Sequence, residues 1–192
     1  MLNTKIITRA EIQQYKQLSD SGNDAKLNQV IIESQLSDIK PLLGERLFNA
    51  VLKDVRDATN TNGSTYTALL NGGDYTVSGT ERFNPGLKSV LANHVYGRTI
   101  MWGDVVDNPF GASFKINPQS SERIDMATKK SFYNENKNFA YNLWVDVRKF
   151  LILTEEPLFY KCQEPVKQIK LNKIGGNTPR KYGSNYKYRR LY

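Results

Sequence analysis

Asn84–Lys115 reads NPGLKSVLANHVYGRTIMWGDVVDNPFGASFK. Asn84 can accept from the unpaired N–H groups of a helix start, and Pro85 suits a first helical position. Leu87, Val90, Leu91, His94, Val95, Met101, Trp102 and Val105 recur at spacings of three, four and seven, which predicts one apolar stripe of a long helix. Pro109 disfavours helical geometry at Asn108, so the helix is expected to end near Asp107. Phe110-Gly111 then turns the chain, and Phe114 and Ile116 alternate with Ser113 and Lys115 as in a short strand. The reading places this helix at the centre of the fold, with the turn at its end.

Working outward, Thr8 and Glu11 make a capping box, with a first helix expected to run to Ser19. Ser21-Gly22-Asn23 breaks it, and Asp24 suits the positive end of the next helix. Leu27, Val30, Ile31, Leu36 and Ile39 mark the buried side of that helix, and Pro41 ends or kinks it. Leu42, Leu43, Leu47, Phe48, Val51, Leu52 and Val55 continue the period, as one kinked rod or a close pair. Residues 57–65 form a polar loop. Tyr66–Leu70 is expected to form one helical turn closed by Gly72. Tyr75-Thr76-Val77 is expected to pair with Ala112–Ile116 as a small flap, which needs outside support.

The longest predicted helix runs from about Asp125 to Thr154. Phe132, Phe139, Leu143, Val147, Phe150 and Leu151 define one face, and Tyr133, Tyr141, Trp144, Val145 and Ile152 spill onto a second. A stripe that wide fits either a helix in mid-core or one covered on its second side by a neighbouring subunit. Hydrophobic residues make up 39 % of the chain, with a mean hydropathy of −0.56. Those modest values favour the second reading, in which Phe132, Tyr133, Phe139 and Trp144 are candidates for a subunit interface. Leu158-Phe159-Tyr160 is expected to dock back on the body. The fold class is mainly α: a bundle of about four to five helices with a two-stranded β flap and an extended basic C-terminal arm.

The chain has 192 residues and a formal net charge of +8. Eight of its 27 basic residues fall from Pro165 to Tyr192, where there is no Asp or Glu, leaving 19 basic against 19 acidic groups elsewhere. The division is therefore a neutral body, 1–164, and a cationic arm, 165–192. Gly175-Gly176, Pro179 and Gly183, with few aliphatics, keep the arm from burying enough surface to order alone. Lys167, Lys170, Lys173, Arg180, Lys181, Lys187, Arg189 and Arg190 mix with Tyr182, Tyr186, Tyr188 and Tyr192. Such a mixture can stack on bases and neutralise phosphates, or lie in a groove between protein subunits. The lone Cys162 suits a reducing cytoplasm. No apolar run is long enough for a membrane span, and the N-terminus lacks a signal-peptide block.

Catalytic chemistry finds little support. His94, the single histidine, lies in the apolar stripe and reads as a satisfied core residue. There is no metal-ligand spacing, no phosphate loop and no dinucleotide fingerprint. Acid pairs such as Asp104 with Asp107 and Glu155 with Glu156 read as solvated surface. The expectation is no enzyme, no metal and no cofactor.

The words Leu69-Leu70-Asn71-Gly72-Gly73-Asp74-Tyr75, Gly86-Leu87-Lys88 and Asp107-Asn108-Pro109-Phe110-Gly111, with Lys115 and Ser120-Ser121, resemble the head–tail connector (adaptor, ring or neck) proteins of tailed bacteriophages. The best match is to those of crAss-like and related Bacteroides phages. The resemblance covers roughly Tyr66 to Tyr160 and departs from the family at Asn108, where a Thr is usual. It implies a mainly helical structural protein of the virion neck, made in the host bacterial cytoplasm. It further implies a homo-oligomeric ring, commonly twelve-fold, that docks on the portal protein and meets other neck or tail proteins. DNA would pass non-specifically through the lumen. The turn with Pro109, Phe110 and Lys115 would be a surface motif of the ring. The alternative function is a nucleic-acid-binding module resting on the arm alone.

Overall fold

The computed structural model describes residues 4–19, 23–58, 65–103, 105–108, 111–114 and 125–159. The fold is mainly helical. Seven α-helical segments, one π-helical turn (Gln35–Ile39) and two antiparallel hairpins make up the described elements: α1 (Arg9–Tyr15), α2 (Asp24–Ser34), α3 (Lys40–Leu43), α4 (Glu45–Ala58), α5 (Thr67–Asn71), β1 (Gly73–Val77), β2 (Thr80–Asn84), α6 (Leu87–Trp102), β3 (Val105–Asn108), β4 (Gly111–Phe114) and α7 (Met126–Leu153). The arm lies outside the described residues.

The capping box at α1 forms as its residues predict: Thr8 accepts from the Glu11 N–H, and Glu11 accepts from the Thr8 N–H at 2.8 Å. The helix stops at Tyr15 rather than Ser19, because Lys16 turns extended and Gln13 ties the onward chain back by donating to the Leu18 carbonyl. Asn23 caps α2, with Asp24 in its first turn. Between α2 and α3 the chain forms a π-helical turn, Gln35–Ile39. A straight α-helix here would drive the Pro41 ring onto the Ser37 carbonyl. The wider turn avoids this, and the Lys40 N–H donates five residues back to Gln35. The expected rod or pair is thus a helix bent by a π turn, ended at Gly44, and followed by α4.

α6 is the central element, packed on α1, α2, α5 and α7. Leu87, Val90, Leu91 and Val95 are fully buried, each contributing roughly 1.5–3 kcal/mol of burial energy. Its ends differ from the sequence reading. Asn84 does not cap it: the residue ends β2, and the cap position is Gly86, without a side-chain bond. α6 stops at Trp102 instead of Asp107. Gly103 weakens the helix there, and the β-branched pair Val105-Val106 enters β3. The flap is likewise corrected. β1 pairs with β2, Val77 opposite Thr80, across a Ser78-Gly79 turn in which both residues have positive φ. That two-residue geometry matches the twist of a hairpin. β3 pairs separately with β4, Asn108 opposite Gly111.

α7 lies along α6, and its buried line is Lys129, Asn136, Ala140, Trp144, Val147 and Leu151. Phe159 docks back as expected, edge-on to Trp144 with ring centroids 6.3 Å apart. No helix among the described residues is long and apolar enough to cross a membrane.

Candidate functional site

Three constructions stand out. The first is a backbone crossing built by the glycine words. Gly72 ends α5 and Gly86 precedes α6, with φ of 78° and 79°. A Cβ at Gly72 would lie 2.3 Å from the Asn84 oxygen, and one at Gly86 2.5 Å from the Asn71 carbonyl carbon. Asn84, 1 % exposed, locks the crossing: its Nδ2 donates to the Ala68 carbonyl at 2.8 Å, and its Oδ1 accepts from the Gly86 N–H at 3.1 Å. The crossing sets where α6 begins, and hence how the bundle closes.

The second is a polar knot on the π turn. Gln35, buried, accepts from the Ile6 N–H at 2.6 Å and donates to the Thr4 carbonyl at 3.1 Å. Three residues on, Asp38 receives Arg98 of α6, with Nε at 3.1 Å and Nη2 at 2.9 Å from Oδ2. Arg98 also donates to Ser37 at 2.8 Å. His94 stands one turn before Arg98, with Nδ1 3.8 Å from Asp38. It is therefore at the edge of the core, facing a carboxylate, rather than inside the apolar stripe. Asp38 already serves the guanidinium fork, an arrangement that fixes α6 against the π turn. Among the described residues no group of three His, Cys, Asp or Glu is placed to hold a metal ion; Cys162 lies outside them.

Burial holds the His94 imidazole below its ordinary value of 6.5; Asp38 opposes this, and Arg98 and Lys137 of α7 reinforce it. The unfolded chain then takes up a proton that the folded chain refuses, so stability is complete above the ordinary value and falls as pH drops below it. The unfolding midpoint is expected to decline between about pH 7.5 and pH 5. The decline should be shallower in His94→Gln, measured by thermal melts across that range. Parallel slopes would remove His94 from the account.

The third construction is an open groove of about 560 Å³ between the end of α1, α6 and α7. Tyr96, Ile100, Phe132 and Phe139 line it together with Lys16, Glu135 and Asn136. The Lys16 ammonium stands 5.6 Å from the Tyr96 ring centre and 5.4 Å from that of Phe139. Burial lowers its proton affinity from the ordinary 10.5, and the charge of Glu135 opposes the shift.

Of the interface candidates, Phe132 and Phe139 are 41 % and 50 % exposed on the groove. Tyr133 turns inward against Gly97, and Trp144 is 5 % exposed in the chain's own core. Trp144 is thus corrected from an interface residue to a packing residue, because Phe159 folds over it. Pro109, Phe110 and Lys115 fall outside the described residues. So do all the arm candidates: Lys167, Lys170, Lys173, Arg180, Lys181, Tyr182, Tyr186, Lys187, Tyr188, Arg189, Arg190 and Tyr192. Sequence reasoning missed Lys16 and Glu135, whose meeting across 119 positions leaves no local spacing. It also missed the knot at Asp38, though the Pro41 kink pointed to the segment.

No curated protein and no solved structure matches this chain. A family model matches residues 39–169, from the end of the π turn through α7 and beyond. That span is more than half the chain and takes in the glycine crossing, α6 and the α7 side of the groove. By that match the chain belongs to DUF6712, a family of unknown function.

Proposed function

We propose that this protein is a structural subunit of the neck of a tailed bacteriophage. In this reading it forms a head–tail connector ring that docks on the portal and continues the DNA channel toward the tail. The observation that carries the reading is the amount of large apolar side chain left in solvent on separate parts of the body. Phe83 on the β1–β2 hairpin is 65 % exposed, Trp102 at the end of α6 is 51 %, and Tyr141 on α7 is 63 %. A closed ring needs two unlike surfaces on each subunit, each covered by a neighbour, and docking on a portal needs a third. The neutral body supports close side-by-side packing. The cationic arm is suited to reach a neighbouring polypeptide and order there.

The test is electron microscopy of necks isolated from virions of a phage that encodes this chain. A ring of this fold adjoining the portal is the expected result; purified virions without the chain would overturn the proposal. Deleting residues 165–192 separates this reading from the nucleic-acid one. A connector loses portal docking, whereas a nucleic-acid module loses a DNA affinity that falls steeply with salt.

A further inference from the structure

The groove beside α7 has the properties of a surface that is complementary to itself. Lys16 and Glu135 line it with opposite charges, and although each feels the other's charge, neither makes an ion pair within 4 Å with any described residue. The ammonium faces two aromatic rings, which stabilise a cation less than a carboxylate does. Tyr96, Phe132 and Phe139 line the same groove.

The surface continues outward along α7 through Ser131, Asn134, Asn138 and Asn142, which with Glu135 and Phe139 line a shallow depression. These four residues are spaced three, four and four apart, and all are exposed. Asn is a weaker helix former than Lys, Glu or Ala, and its repeated use on an outer helix face runs against local preference. Asn carries both donors and an acceptor, so a stripe of Asn can bond to a second copy of itself.

We propose that a second copy of this chain covers this face across a two-fold axis, each copy's Lys16 meeting the other's Glu135. Phe132 and Phe139 are then buried at the centre, and the Asn138 side chains lie within the contact. The rule of a two-fold interface, that residue i meets j while j meets i, is satisfied by one lysine and one glutamate on the same face. A stable contact of this kind covers roughly 800 Å² per partner. The pairing goes beyond the connector reading and does not rest on it. A ring closes by contacts between unlike surfaces, so the pair belongs to the isolated subunit.

Sedimentation velocity of the full chain, free of portal and DNA, tests this. The native chain is expected to be a dimer across the concentration series. Lys16→Glu and Glu135→Lys should each raise the dimer dissociation constant by about tenfold or more, since each places like charges face to face twice. An equimolar mixture of the two variants should restore pairing, because each lysine again meets a carboxylate across the axis. Asn138→Arg, at an exposed position, should weaken the dimer while leaving the unfolding midpoint in place when both chains are measured at a concentration that keeps them monomeric, and so reports independently if a groove variant folds poorly. A native monomer, a mixture no better than its components, or a dimer indifferent to Asn138→Arg would each overturn the pairing. A cyclic oligomer in place of the dimer would overturn it too, while leaving the connector reading intact.

Discussion

Gly86→Ala is expected to destabilise the protein by roughly 2–6 kcal/mol, and Gly72→Ala by a similar amount. Two costs combine. Gly86 has φ 79° and ψ 149°, and Gly72 has φ 78° and ψ −163°, a region that is essentially confined to glycine. Holding alanine there costs about 1–3 kcal/mol. The added methyl then meets backbone instead of a movable side chain: Asn71 and Gly72 in one case, Asn84 to Gly86 in the other. Relieving that overlap costs about another 1–3 kcal/mol, and it would part the chains that Asn84 bonds together. Against a usual total of about 5–15 kcal/mol, such a loss removes a large share of the stability. Gly79→Ala is the internal control. Its φ is 77°, but nothing lies within 4 Å of the new methyl, so only the backbone cost of about 1 kcal/mol remains. Urea midpoints followed by circular dichroism give all three values. A Gly86→Ala protein as stable as Gly79→Ala would show that the crossing yields, and that α6 does not depend on it.

The parts of the fold legible in the sequence are those fixed by neighbours in the chain. Thr8 and Glu11 cap a helix because both act within one turn. Leu87, Val90, Leu91 and Val95 are buried where their period places them, since α6 is enclosed by other elements and nearly any apolar residue on it is covered. Errors begin where two physical signals overlap. Val105 falls on the helical period, but Gly103 and the β-branched pair stop the helix before reaching it. Asn84 and Pro85 resemble a helix start, yet the left-handed Gly86 must come first for the crossing to form, and Asn84 is then occupied with Ala68. The Ser78-Gly79 turn was readable, because Ser-Gly between strand-forming residues is a hairpin signal; the long-range pairing with residues 112–116 obscured it. The groove was least legible. Its charges come from Lys16 and Glu135, which the packing of α1 and α7 on α6 brings to one groove.

α7 shows the same limit within a single helix, and Trp144→Ala with Phe139→Ala turns it into a measurement. Sequence periodicity counts apolar residues and ignores how much room the opposing element leaves. At the N-terminal half of α7 the opposing element is Gly97 of α6, whose Cα approaches so closely that an added Cβ would lie 3.4 Å from Asn136 and from Tyr133. Tyr133 lays its ring against that glycine, the buried line beside it carries the small Asn136 and Ala140, and Phe132 and Phe139 stay exposed. Farther along, the larger Trp144, Val147 and Leu151 are buried. Trp144→Ala is therefore expected to cost about 3–5 kcal/mol, from lost burial and the cavity left beneath Phe159. Phe139→Ala removes a half-exposed ring and one cation contact to Lys16, and is expected to cost at most about 1 kcal/mol. The ordering is what matters, since both are aromatic residues that a helical wheel would place in an apolar band. Denaturant midpoints at a protein concentration low enough to keep the chain monomeric should separate them. Equal losses would mean that Phe139 is packed inside the monomer, and that the face it shares with Lys16 and Glu135 is already covered by the chain's own residues.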